Sequence, residues 1–139
     1  MKRFLLLCMM CGVVLFATTD DMAEKIRIQN QNIVKAAAEE LGKELPKRVD
    51  PYTQLVGIDA DGEKLIYTFE IAAGPKSDEQ IIKEGEERMR RNVTAGICSR
   101  SQRFLKSGIT ISYRYLSAAT KRELFRFDVS EKDCPLLAE

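Results

Sequence analysis

Hydrophobic residues recur at helical spacing in two long stretches of the chain. Between residues 24 and 45 they follow an i, i+3, i+4 pattern with polar residues between them, which predicts an amphipathic helix that ends at Pro46. Ser77 begins a capping-box sequence, S-D-E-Q, and the helical pattern that follows runs to about Arg100. A short further helical turn is predicted over residues 101–106. Each long helix has one apolar face, so we expect each to cover a β-sheet.

Alternation of apolar and polar residues predicts a β-hairpin after each helix. The first hairpin has an Asp-Gly turn between its strands, and the second turns at residues 117–120. The segment from Val49 to Pro51, which joins the first helix to the first hairpin, is predicted to be an extended linker. The four predicted strands cover residues 53–59, 63–72, 109–116 and 121–129.

The order of these elements predicts an α+β fold. Two β-hairpins would form a four-stranded antiparallel sheet, with the two main helices packed on one face. The strands at residues 63–71 and 121–129 also resemble each other, because aromatic and acidic residues occupy matching positions. This similarity fits a repeated αββ unit, and the general pattern of strand sequences explains it equally well.

The first 19 residues have the composition of a secretory signal peptide. Lys2 and Arg3 form a positive segment, an apolar run follows, and small residues at Ala17 to Thr19 offer cleavage sites. We therefore predict a signal peptide at residues 1–19 and a single α+β domain at residues 20–139, with no stable membrane span after cleavage.

Two alternatives to a cleaved signal peptide involve the same segment. The apolar run of 13 residues could be an uncleaved anchor, although a spanning helix needs about 20 such residues. Lipidation at Cys8 or Cys11 is the second alternative, but large residues precede both cysteines, where lipidation signals favour small ones.

Removal of the leader would leave Cys98 and Cys134 as the cysteines of the mature chain. Two cysteines in an exported chain most simply form one disulfide. A bridge across 36 residues would stabilise the fold by about 3–4 kcal/mol. The alternative is a redox-active pair, but such pairs are usually close in sequence.

Composition argues against several chemistries. The 139 residues carry 22 basic and 21 acidic side chains, a net charge of +1, so no preference for nucleic acid follows. The chain has no histidine, the commonest general base and metal ligand. It also has no phosphate-binding loop, dinucleotide fingerprint or nucleophile elbow. We predict no enzymatic activity, no cofactor and no metal site. A deep cleft with shifted carboxylates would favour an enzyme of unrecognised type instead.

Charged residues on two predicted elements form the candidate partner surface. Glu70, Arg114 and Arg126 are expected on the sheet face that the helices leave open. Arg88 and Arg91 belong to a basic run on the second helix, which could bind an acidic partner. The alternative for this run is a solvated helix face, because acids lie early and bases late in the helix, as the helix dipole favours.

Short motifs are spread over roughly two-thirds of the chain. They are Leu45-Pro46, Thr53 with Leu55, Leu65 with Tyr67 and Phe69, Cys98-Ser99, Gly108 followed by Tyr113-Arg114-Tyr115, and Asp133-Cys134. In these motifs the chain resembles small exported bacterial proteins of unknown function with a C-terminal cysteine pair. The resemblance implies an exported, disulfide-bonded α+β domain, and it implies no catalytic or binding residue.

These observations predict a periplasmic or secreted, non-enzymatic protein. It would bind an unidentified envelope or extracellular protein, as an accessory, an inhibitor or an assembly factor, and a free strand edge is one way to do so. The alternative is a carrier of a small molecule or lipid, held in an aromatic cavity between the sheet and the helices. The residues that would line this cavity are Tyr67, Phe69, Tyr113, Phe125 and Phe127.

Overall fold

Two long helices and a five-stranded sheet dominate the part of the chain that the structure describes. The computed structural model describes residues 15–134. In chain order the elements are α1 (Leu15–Gly42), β1 (Lys47–Asp50), β2 (Thr53–Asp61), β3 (Lys64–Ile71), α2 (Asp78–Arg100), α3 (Gln102–Lys106), β4 (Thr110–Ser117), β5 (Glu123–Val129) and a short 3-10 helix (Glu131–Asp133).

The predicted leader lies largely outside this range. Residues 1–14, with Cys8 and Cys11, are not among the described residues, and the candidate cleavage positions after Ala17 and Thr19 fall in the first turns of α1. The leader therefore stays a prediction. Within residues 15–134, no helix combines the length and the apolar composition needed to cross a membrane.

The sheet differs from the predicted one in two respects. It has five strands in the order β1-β2-β3-β4-β5 rather than four, and its central pair, β3 and β4, is parallel rather than antiparallel. The helical crossover through α2 and α3 returns the chain to the starting end of β3, so β4 must run in the same direction. β1 overlaps the predicted linker at residues 49 and 50, and its four residues are all exposed, so no alternation marked it as a strand.

Both long helices pack on the same face of the sheet but over different strands. α1 contacts β2 and β3, whereas α2 contacts β5 and, to a lesser extent, β4. The capping box predicted at the start of α2 is confirmed: Ser77 Oγ accepts from the Gln80 amide at 3.3 Å, and Gln80 Oε1 accepts from the Ser77 amide at 3.0 Å.

The side chains between the layers form two hydrophobic clusters. The first joins α1, through Val34, to the sheet and to the ends of α2 and α3, with Leu65 and Leu105 fully buried. The second contains aromatic residues of β3, β4 and β5 and packs against α2. Among the residues assigned to the second cluster, none comes from α1. Its buried members are Phe69, Tyr115, Leu124, Phe125 and Phe127.

A buried asparagine connects α1 to the loops at one end of the sheet. Asn30 is 3% exposed, and its Nδ2 donates to Glu63 Oε2 and to the Ser107 carbonyl, both at 2.8 Å. The adjacent Gly108 has φ +93°, a conformation that side chains rarely adopt, and a Cβ there would lie 3.6 Å from Asn30 Nδ2. The conformation of the turn after α3 and the hydrogen bonds of Asn30 therefore depend on each other.

Asn30→Ala is expected to lower the free energy of unfolding by about 1–3 kcal/mol, because it leaves a part-buried carbonyl and carboxylate without their donor. Urea denaturation measures this difference. Asn32→Ala is the matched control, since Asn32 lies half a turn further along the same helix and is exposed. Equal losses in the two variants would contradict the anchoring role of Asn30.

The predicted disulfide is present. Cys98 and Cys134 are bonded, with 5.6 Å between their Cα atoms. Cys134 is 2% exposed and belongs to the first cluster. The bridge fixes the chain after β5 to the C-terminal part of α2, so it holds the edge strand and the helix layer together.

Candidate functional site

The two long helices lie over the central strands with little contact between them. α1 supplies side chains to the first cluster only, whereas α2 contributes to both, and the two helices make little contact with each other. The gap between them has Tyr67 of β3 and Tyr113 of β4 on its floor, because each of these residues packs against both clusters. We call this gap the aromatic cleft and define it by these two tyrosines and by Met89 of α2, which packs against the second cluster.

The C-terminal part of α1 carries accessible apolar surface. Val34 is fully buried, and Leu41 lies two turns later on nearly the same side of the helix. Leu41 is nevertheless 40% exposed. The C-terminal end of α1 is therefore not fully covered by the sheet, and apolar surface remains accessible there.

The floor of the cleft is a packed aromatic layer. The ring centroids of Tyr67 and Tyr113 are 5.2 Å apart, and Phe69 lies 4.9 Å from Tyr113 and stacks on Tyr115 at 4.8 Å. Tyr67 and Tyr113 are half-buried, and their hydroxyls have no hydrogen-bond partner among residues 15–134. The floor thus offers a rigid apolar surface and two free hydroxyl groups.

Burial keeps these hydroxyls protonated to a higher pH than that of an exposed tyrosine. Desolvation raises the pKa of Tyr67, Tyr113 and Tyr115 above the usual value, and the nearby Arg100 charge opposes this rise only at Tyr113. The cleft presents neutral hydroxyl groups, as tyrosines do at physiological pH, and these can donate and accept hydrogen bonds.

Stability is expected to fall at alkaline pH. Each of these tyrosines has a higher pKa in the folded than in the unfolded chain, where it is about 10. Their contribution is complete below that pH and is lost as the pH rises through the folded-state pKa. Urea midpoints measured at increasing pH should decline, and Tyr115→Phe should decline less. Identical declines in the wild type and the variant would contradict this.

The five residues of the predicted partner surface lie on two different surfaces. Glu70, Arg114 and Arg126 share the sheet face away from the helices, as their positions in register indicate. Arg88 and Arg91 are exposed on α2, in the helical layer. Three of the charges already have partners: Glu70 binds Lys121, Arg126 binds Glu123, and Arg91 binds Glu87.

The aromatic residues predicted to line a carrier cavity have two different roles. Phe69, Phe125 and Phe127 are at most 5% exposed and pack within the second cluster, where Phe125 stacks on Phe127. Tyr67 and Tyr113 are the accessible members. A depression of about 600 Å³ lies elsewhere, between the C-terminal end of β3 and the β4–β5 turn, and none of the five aromatic residues lines it.

No sequence motif indicated a metal site, and none indicated the aromatic cleft. Among the described residues, no cluster of histidine, cysteine or acidic side chains is arranged to hold a metal ion. Tyr67 and Tyr113 were singled out as strand aromatics, but their exposure depends on the distance between two helices. No local sequence pattern encodes that distance.

Comparisons with known proteins found similar folds only among solved structures. No family model matches the chain, and no curated protein matches it. A Pseudomonas aeruginosa protein that is inferred to be secreted superposes with TM-score 0.70 at 15% identity, covering 78% of this chain and 96% of that one. The type 2 secretion system pilotin EpsS of Vibrio vulnificus gives 0.68 at 11% identity, covering 80% and 96%.

A second pilotin has the same fold. The type II secretion system pilotin AspS of Vibrio cholerae superposes with TM-score 0.59 at 16% identity, covering 81% of this chain and 98% of that one. At these identities the likeness shows a shared fold. The chain is therefore similar in structure to two secretion-system pilotins and to one protein inferred to be secreted.

Proposed function

We propose that this protein is an exported, non-enzymatic accessory or assembly factor that binds a segment of another envelope protein in the aromatic cleft. The observation that carries this proposal is the pair Tyr67 and Tyr113, which are half-buried between two helices that hardly touch and whose hydroxyls are unbonded within the described chain. The leader at residues 1–19 would direct the protein to the periplasm or the exterior.

The chemistry of the cleft defines the kind of segment that would bind. Aromatic floors flanked by apolar side chains favour segments with an apolar side, such as one face of an amphipathic helix. Polar groups on that segment would meet the two tyrosine hydroxyls, and tyrosine is common among the residues that dominate binding energy. We therefore expect an amphipathic segment with one or two polar groups next to its apolar face.

The fold comparisons support the location and the class of role. Two of the similar structures are pilotins of type II secretion systems, and the third belongs to a protein inferred to be secreted. The disulfide agrees with an oxidising compartment. A carrier of a small molecule or lipid is less well supported, because Phe69, Phe125 and Phe127 are buried and fill the space between the sheet and α2 that a ligand would need.

Site-specific photocrosslinking in the native organism tests the proposal. A benzoylphenylalanine residue replaces Tyr113 in the cleft, and the matched control places it at Glu87 on α2, whose side chain is 85% exposed. We expect one envelope protein to be crosslinked from position 113, through a defined peptide, and not from position 87. Adducts that are the same from both positions, or lipid adducts alone, would contradict it.

A further inference from the structure

The last arginine of α2 lies beside the aromatic cleft. Met89, Gly96 and Arg100 are spaced by seven and by four residues, so they share one side of the helix. This side borders the cleft, because Met89 packs against the second cluster, as Tyr67 and Tyr113 do. The guanidinium of Arg100 lies back along the same side, since a Cβ at Gly96 would be 3.5 Å from its Nη2 atom. An exposed cation is therefore placed next to the floor of the cleft.

Arg100 has no carboxylate partner, unlike two other arginines of α2. Arg90 and Arg91 each contact the glutamate four residues earlier, at 3.4 Å and 2.9 Å. The residue four before Arg100 is Gly96, and no acidic side chain within residues 15–134 pairs with Arg100. The helix dipole favours a positive charge in the last turn. It does not explain why the side chain lies along the cleft without an acid.

The two tyrosines on the floor of the cleft are open to a ligand. Their hydroxyls lack a partner among the described residues, yet neither is among the covered side-chain atoms that lack one. Burial raises the pKa of Tyr113, and the one charged side chain that changes this pKa is Arg100, which lowers it. The carboxylate of Asp50 acts on Tyr115 instead of on Tyr67 or Tyr113. This part of the cleft therefore presents hydrogen-bond donors and a positive charge, with no acid acting on the two floor tyrosines.

We propose that Arg100 and the hydroxyls of Tyr67 and Tyr113 bind a carboxylate of the partner segment, an aspartate or glutamate beside its apolar face. This inference rests on the proposed function, because it specifies the polar group of the segment that the cleft would hold. A guanidinium and two hydroxyls supply donors for both carboxylate oxygens.

The charge at this site favours a carboxylate over a phosphate. One carboxylate balances the single positive charge of Arg100. A phosphate dianion would keep an uncompensated charge against the apolar floor, and burying such a charge is costly.

NMR titration of the purified protein tests this site without the partner. The probe is phenylbutyrate, a carboxylate on an apolar stem, and the control ligand is phenylbutyramide. We expect the Arg100 Nε–H and Tyr113 ring resonances to shift in a saturable way with the carboxylate only. Arg100→Gln should weaken binding about tenfold, as the loss of one charge-assisted hydrogen bond implies. Equal shifts with the amide, or tighter binding of inorganic phosphate, would overturn the proposal.

Two controls accompany the titration. Arg91→Gln should leave binding of the carboxylate unchanged, because Arg91 follows Met89 by two residues and lies on the opposite side of α2. Arg100→Gln should keep a urea midpoint close to that of the wild type, because Arg100 is exposed and unpaired among the described residues. A large fall in this midpoint would assign Arg100 a structural role and overturn the proposal.

Photocrosslinking separates this inference from the proposed function. With benzoylphenylalanine in place of Tyr67, we expect a crosslinked peptide that contains an aspartate or glutamate, and a lower yield in Arg100→Gln. Arg100→Glu should regain the yield when the partner's acidic residue is replaced by arginine. A specific adduct whose yield does not depend on Arg100 would overturn this inference and leave the proposed function intact. The absence of any specific adduct from position 67 would overturn both.

Discussion

Removal of the Cys98–Cys134 disulfide is expected to lower the free energy of unfolding by about 3–4 kcal/mol, as the closure entropy of a 36-residue loop implies. The bridge joins α2 to the segment after β5, and Cys134 is buried in the first cluster. Without it, the edge strand would be held by packing against α2 and by its ladder with β4. For a domain of this size, the loss is a large share of the total stability.

Urea denaturation of the double variant Cys98→Ala/Cys134→Ala measures this contribution. Each single variant should lose about as much as the double variant, and reductant should destabilise the wild type but not the double variant. A double variant as stable as the oxidised wild type would contradict the structural role of the bridge.

Leu65→Ala is expected to cost about 2–5 kcal/mol, the range found when a buried leucine is truncated and a cavity remains. Leu65 is fully buried on β3, in the cluster that joins α1 to the sheet. Its neighbours belong to α1, the sheet and the ends of α2 and α3, so they cannot all move to fill the space. The same substitution would loosen the contact between α1 and the sheet.

Met22→Ala is the control for this prediction. Met22 lies on α1 and is 63% exposed, so its truncation should change the free energy of unfolding by less than about 0.5 kcal/mol. Calorimetry or urea denaturation gives both values. A loss at Leu65 no larger than the loss at Met22 would show that α1 does not pack on β3 as described.

Local patterns were sufficient for most of the individual elements. Helical periodicity located α2 and the part of α1 after residue 24, although α1 begins at Leu15 and ends at Gly42, before the predicted end at Pro46. The capping box located the start of α2, and alternation located β2 to β5. The parallel pairing of β3 and β4 was not predicted, because it joins strands separated by a helical crossover and no hairpin turn records it. β1 was missed because its four exposed residues show no alternation and are followed by Pro51.

The candidate site was only partly predictable for a related reason. The alternation of β3 and β4 correctly placed Tyr67 and Tyr113 on the helix-facing side of the sheet. Their accessibility, in contrast, follows from the separation of α1 and α2, which is a property of the packed molecule. The prediction that Arg114 and Arg126 lie on the open face needed only strand alternation, but their direct opposition needed the register of β4 and β5.

The affinity for the partner captured by crosslinking tests the central claim most directly. Titration calorimetry would compare the wild type with the double variant Tyr67→Ala/Tyr113→Ala. The control is Glu87→Ala, at an exposed position on α2. The account predicts a loss of at least about 2 kcal/mol in binding free energy, roughly 30-fold, for the folded cleft variant, as expected at a binding hot spot, and no change for the control. Unchanged affinity in a folded cleft variant would contradict binding in the aromatic cleft.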